Sequence, residues 1–324
     1  MRIGLIDLDY NGSFPNIPLM KLSAYHKAQG DTVEWYDGFE QYDTVYVAKV
    51  FSWTPDSAPP IHADKIIKGG SGFMIRNIAG EEGWYPFRAH RAANRNGYEF
   101  MDALPDDIEH IYPDYSLYPK LTDNTAYGFL TRGCPRDCSF CHVAAKEGKA
   151  SKKVADLSEF WHGQKKIVLC DPNILACKEW KPLLQQLIDS KASVDFNQGL
   201  DARLMTPEKA QMLGEIKIKE IHFAWDRYED GKYVKRGLHD HNAIVYTLVN
   251  HGTTIEQDLE RIYTLRDMGY WAYVMVYDKQ HADPIYHDMA RWCNNRRIYA
   301  VCPRFDEYMK QQTAAADNTQ LSLF

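Results

Sequence analysis

The chain reads as an α/β protein: a partial (β/α)6 barrel preceded by a small Rossmann-like open parallel sheet. Three observations predict this. Short apolar runs alternate with helical stretches along most of the length. Several of the runs end in an acid, an amide or a glycine, where a parallel strand hands over to a loop. Apolar residues make up 45% of the 324 and aromatic residues 13%, ample for a real core and incompatible with global disorder.

The first region, residues 1–115, opens with the apolar run Arg2–Asp7, which ends in an acid as a buried parallel strand does. A helix is predicted over 18–29 and is closed by Gly30. Strands are predicted at 32–36, 44–50 and 65–68, the last running into Gly69-Gly70. Residues 77–124 are rich in aromatics and proline but lack periodicity, and read as a connection wrapped over the surface with room for short helices.

The second region, residues 116–305, begins in earnest at Tyr127-Gly128-Phe129-Leu130. Further strands are predicted at 166–170, 193–197, 220–225, 243–249 and 271–277, each leading into a polar loop. Helices are predicted at 179–190, 207–214 and 255–268. The last has Leu259, Ile262, Leu265 and Met268 at helical spacing, with Gly269 just after. Six β/α units result. Reactive groups in such barrels stand at the C-terminal ends of strands.

The net charge of −6 excludes a uniformly basic surface. Two local runs, Arg88, His90, Arg91, Arg95 and Lys146, Lys149, Lys152, Lys153, permit a phosphate-bearing substrate. Seven cysteines are an odd count for a disulfide framework, the N-terminus carries no secretory pattern, and no run is long enough to span a membrane. Together these features imply a cytoplasmic protein with reduced cysteines.

One loop concentrates the chemistry. Cys134, Cys138 and Cys141 stand at C-x3-C-x2-C spacing, with Phe140 before the last. Three thiolates so placed can hold three corners of a cubane cluster and leave one iron open. A structural zinc site completed by His142 or His162 is the competing reading, followed by unliganded thiols.

The loop resembles the signature of the radical SAM enzymes, and the resemblance extends roughly from Tyr127 to Asp278. It implies a [4Fe–4S] cluster on Cys134, Cys138 and Cys141 and reductive cleavage of S-adenosylmethionine. It also implies hydrogen abstraction from a substrate and an external electron donor. Phe140 would lie near the adenine. Asp171 and Asn173 stand where the family usually has Gly-Gly-Glu, and would take the methionine amino group. Arg203 would hold the carboxylate, and Asp226 and Asn250 the ribose or the methionine. Helix capping or local pairing is the competing role for these strand-end residues.

The N-terminal region resembles a cobalamin-binding module but lacks Asp-x-His-x-x-Gly. His26 has no such context, so cobalamin is not expected. Cys170, Cys177, Cys293 and Cys302 read as ordinary buried thiols, with an auxiliary cluster as the competing reading.

Residues 306–324 form the third region. Gln311–Thr319 is small and polar and reads as a flexible tether. It ends in Gln320-Leu321-Ser322-Leu323-Phe324, which resembles the peptide by which replication and repair proteins dock on the DNA sliding clamp. That resemblance implies a clamp partner, and DNA or a protein working on DNA as substrate. An end folded back on its own domain is the competing reading. Three functions follow: a radical SAM enzyme acting on DNA or a nucleobase, one acting on a small molecule or peptide, and a non-enzymatic iron–sulfur or zinc protein recruited to the clamp.

Overall fold

The computed structural model describes residues 1–56, 60–78, 81–84, 98–237 and 243–321. The run of Arg88, His90, Arg91 and Arg95 lies outside the described residues, as do Ser322–Phe324. The architecture is α/β with parallel sheets. The chain divides into two compact units, Met1–Val194 and Asp195–Phe324. No helix among the described residues is long and apolar enough to cross a membrane.

The first unit opens on a five-stranded sheet. Its strands are β1 (Arg2–Asp7), β2 (Thr32–Trp35), β3 (Tyr42–Ala48), β4 (Ala63–Gly69) and β5 (Tyr98–Met101), in spatial order β2-β1-β3-β4-β5. Every pairing is parallel. Alternation along the strands sends residues to two apolar layers. Ile3, Leu5, Tyr46 and Ala48 pack with Leu19 and Leu22 of helix α1 (Ile17–Ala28). Val45 and Val47 pack instead with Phe73 and Met74. The Asn16 side chain accepts from the Leu19 N–H at 3.1 Å, Pro18 sits in the first turn, and Gly30 turns left-handed at φ 79°. The predicted helix is thus present with its caps.

β5 is an addition. The segment 77–124 was expected to be a surface connection with short helices; those are present at Asp106–Glu109 and Pro119–Thr122, but Tyr98–Met101 also pairs with β4 over four residues. Its Tyr-Glu-Phe-Met pattern was too short to stand out among the aromatics around it.

Later in the same unit, β6 (Thr125–Gly128) and β7 (Lys166–Leu169) pair in parallel. Helix α2 (Trp180–Ser190) buries Leu183, Leu184, Leu187 and Ile188, and strand β8 (Ser193–Phe196) after it carries the division between the units, Asp195 being the first residue of the second.

The second unit holds β9 (His222–Ala224), β10 (Ile244–Val249) and β11 (Trp271–Val276), a parallel three-stranded sheet. Helices α3 (Pro207–Glu215), α4 (Ile255–Asp267), α5 (Pro284–Asn294) and α6 (Phe305–Leu321) complete it. Val245, Thr247, Val249, Ala272 and Val274 are all buried, on the face packed against α4 and α5. Thr254 and Gln257 form a capping box at the start of α4. The expected tether is instead backbone helix through Leu321, because Ala314-Ala315-Ala316 and its neighbours favour helix once Phe305 and Tyr308 anchor the first turn.

Arg261 of α4 is wholly buried and holds this unit's strand ends. Its guanidinium donates to the Trp225 carbonyl, to the Leu248 carbonyl at 2.5 Å and to Asp258 at 2.6 Å. Asp258 in turn accepts from the Asn250 N–H at 3.1 Å. Removing one member of a buried pair leaves the other charge uncompensated. Asp258→Ala is therefore expected to cost about 3–5 kcal/mol in urea unfolding, whereas truncating Glu229 in the exposed Arg227–Glu229 pair changes little.

Candidate functional site

In an open parallel sheet, a crevice forms where neighbouring strands are reached by connections leaving in opposite directions. The order β2-β1-β3-β4-β5 reverses direction between β1 and β3, so the loops after these two strands frame it. Asp9, after β1, joins them: its carboxylate accepts from the Val50 N–H and the Thr54 hydroxyl, both after β3. Asp7 closes β1 and accepts from the Tyr118 hydroxyl at 2.7 Å. Burial raises its carboxyl pKa, against the pull of that hydrogen bond.

Aromatic rings stand along this edge. Tyr10 and Trp35 stack with centroids 6.5 Å apart, and Tyr118 meets both. A cleft of about 190 Å³ opens among Tyr10, Trp35, Leu117, Tyr118, Pro119 and Lys120. After β3, Phe51 and Trp53 stack at 4.7 Å and 17°, and Trp53 is 70% exposed. Glycines let the backbone close in beneath them. A Cβ on Gly70, at φ 105°, would meet the Lys49 carbonyl at 2.3 Å, and one on Gly72 would meet the Phe51 carbonyl at 2.5 Å. Lys49 is buried and pairs with Asp56 at 2.6 Å. These residues were not singled out from sequence. The signal available was the repeated placement of an aromatic just past each apolar run: Tyr10, Trp35, Phe51.

The cysteine loop is arranged differently from expectation. Among the described residues, no group of three or more His, Cys, Asp or Glu side chains is placed to hold a metal ion. The assignment of Cys134, Cys138 and Cys141 as cluster ligands is corrected on that geometry. With it fall the [4Fe–4S] cluster, S-adenosylmethionine, the radical SAM reading of the enzyme, and the zinc alternative with His142 or His162. The loop is tied down by its own neighbours instead. The Cys134 N–H donates to the Gly148 carbonyl at 3.1 Å, the Gly133 N–H to Glu147 at 3.1 Å, and Lys149 pairs with Asp137. Cys141 is exposed while Cys134 and Cys138 are half-buried. His162 stacks on Tyr112 at 3.9 Å. The spacing placed three thiols in one loop; it did not specify which way each one turns.

The structure places the other anticipated residues at several strand ends and loops. Asp171 is buried, accepting from the Leu130 N–H at 3.1 Å, the Thr131 N–H at 2.5 Å and the Thr131 hydroxyl at 2.7 Å. Asn173 is buried with its amide 3.7 Å from the Cys134 sulfur. Phe140 is half-buried. In the second unit, Arg203 is held by Asp201 at 2.7 Å and Asp230 at 2.5 Å. Asn250, left-handed at φ 64°, donates to the Tyr277 carbonyl at 3.1 Å. Burial pushes Asp226 up to about 6, with Arg261 opposing. Cys170, Cys177, Cys293 and Cys302 are buried and form no disulfide.

No family model matches the chain, and no curated protein matches it.

Burial also pushes Asp171 up to about 6, outweighing its three donors. The folded value lies above the ordinary 3.8, so this group's contribution to stability is complete below about pH 4 and is lost as pH rises through 6. The span is on the order of 2–3 kcal/mol. Urea unfolding between pH 4.5 and 7.5 should show wild type losing stability relative to Asp171→Asn as pH rises. A pH-independent difference between the two would contradict this.

Proposed function

We propose that the chain is a ligand-binding module whose site is the crevice at the C-terminal edge of the β1–β5 sheet, and whose ligand carries a planar heteroaromatic ring. The observation that carries this reading is the set of solvent-facing rings at this edge, Tyr10, Phe51 and Trp53 on the framing loops and Trp35 at the end of β2. A run of exposed aromatics on adjacent loops costs solubility unless a ligand uses it. Stacking of a base on an aromatic side chain contributes about 1–3 kcal/mol per ring. The sheet supports a Rossmann-like description of this region. The succession of β/α units from Tyr127 to Asp278 supports an open partial barrel for the rest. Seven cysteines with no disulfide among the described residues suit a reducing cytoplasm.

Riboflavin and adenosine are suitable probes, followed by riboflavin fluorescence and by calorimetry. Saturable binding that weakens about tenfold in Trp53→Ala is expected, which corresponds to about 1.4 kcal/mol. No saturation by either probe, or equal affinity in the variant, would remove this reading.

A second reading rests on the sequence of Gln320–Phe324. We propose that this segment recruits the chain to a DNA sliding clamp, where the nucleobases of DNA would be ring-bearing ligands near at hand. Gln320 and Leu321 end helix α6, so the anchor follows a structured segment. Deleting 320–324 is expected to abolish binding to a purified bacterial clamp measured by fluorescence anisotropy, while riboflavin binding is unchanged. Retained clamp affinity in the deletion would end the recruitment proposal.

A further inference from the structure

In the parallel sheet of the second unit one face packs on α4 and α5, and the other buries Ile244 and Leu248 but leaves Tyr273 and Met275 exposed. Parallel strands are normally buried on both sides. Register places His222, Ile244 and Trp271 in one row and Ala224, Tyr246 and Tyr273 in the next. Tyr273 is 38% exposed and Met275 47%, on the side opposite the apolar layer under α4 and α5. Asp195, on β8, reaches the same row: its carboxylate lies 3.8 Å from His222 Nδ1.

That distance is too long for a hydrogen bond. Asp195 Oδ1 and His222 Nδ1 are both buried atoms without a hydrogen-bond partner among the described residues. Leaving two such atoms unpaired is costly, on the order of 1–3 kcal/mol each, and native structures rarely tolerate it without a reason. Glu220 Oε1 stands 3.5 Å from His222 Nε2. A carboxylate there favours the tautomer with its proton on Nε2, which leaves Nδ1 as an acceptor. The pair therefore presents two acceptors side by side.

The surroundings define what they would accept. The His222 ring stacks on Tyr246 at 5.2 Å and 6°, and Tyr273 meets Tyr246 edge-on at 5.8 Å. Gly199, at φ 79°, brings its backbone close to the Tyr246 ring, where a Cβ would sit 3.6 Å from it. The charged groups nearby are Asp195, Glu220 and Arg296. Arg296 pairs with the other oxygen of Glu220 and lies over the Trp271 ring at 4.2 Å. Asp195 is thus the carboxylate left for an incoming group.

We infer that Asp195, His222, Tyr246 and Tyr273 form a binding site for a small organic cation with two adjacent N–H donors, an amidinium or guanidinium. One donor would meet Asp195 Oδ1 and the other His222 Nδ1, with the cation's face against the tyrosines. This site is independent of the ring-binding crevice of the first unit and stands or falls separately.

The test uses the full chain with benzamidine as probe and benzamide as its neutral counterpart, followed by ¹⁵N NMR of the histidine rings. Benzamidine should give a saturable shift of His222 Nδ1 at millimolar concentration, at least about tenfold weaker in Asp195→Asn and weakened in Tyr273→Ala. Tyr273 is exposed, so that variant keeps the fold should the first lose it. Absence of a saturable shift, equal affinity in Asp195→Asn, or equal binding of benzamide would each overturn the assignment.

Discussion

A parallel strand ends in amide groups that its sheet neighbours do not satisfy, and in this chain aspartates from adjacent segments take them. Asp9 accepts from Val50 after β3, Asp171 from Leu130 and Thr131 after β6, and Asp258 from Asn250 after β10. The need is general, because a buried backbone N–H without a partner costs about as much as a lost hydrogen bond. The solution recurs in both compact units. It fixes the loops after β1 and β3 that carry Tyr10 and Phe51.

This constraint accounts for several features at once. Asp171 sits at a strand end, where chemistry is often placed, yet its oxygens are occupied by backbone and hydroxyl donors. Arg261 extends the device: it takes the carbonyls of Trp225 and Leu248 and neutralises Asp258, so donors and acceptors at the same strand ends are settled together. Where the device is complete, the loops are rigid and chemically quiet. Asp195 and His222 lie outside this device, and their buried Oδ1 and Nδ1 atoms are left unpaired. The aromatic crevice of the first unit depends on it too, since Asp9 holds together the two loops that carry Tyr10 and Phe51.

Much of the α/β order could be read from sequence. Strands such as Arg2–Asp7 and Ile244–Val249 announced themselves as apolar runs, and α4 through its periodicity and its Thr254–Gln257 cap. β5 escaped because four residues carry too little pattern. The helical end of α6 escaped because a small, polar segment is equally at home in a tether. The site was less legible. Cysteine spacing reports proximity along the chain, whereas ligation requires sulfurs aimed at one point. Asp195 and His222 stand 27 residues apart on strands of two different sheets, and only the tertiary fold brings them together. A subtler sign was present: Ser193-Val194-Asp195-Phe196 alternates polar and apolar residues, which a strand covered on both faces would not need.

The central claim, that aspartates organise the strand ends in advance of any ligand, is most directly tested by native-state hydrogen exchange of individual amides. The account predicts that Val50, Leu130, Thr131 and Asn250 exchange as slowly as strand amides in wild type. In Asp171→Ala, Leu130 and Thr131 alone should become fast. Loop-like exchange of these four amides in the unaltered protein would contradict it.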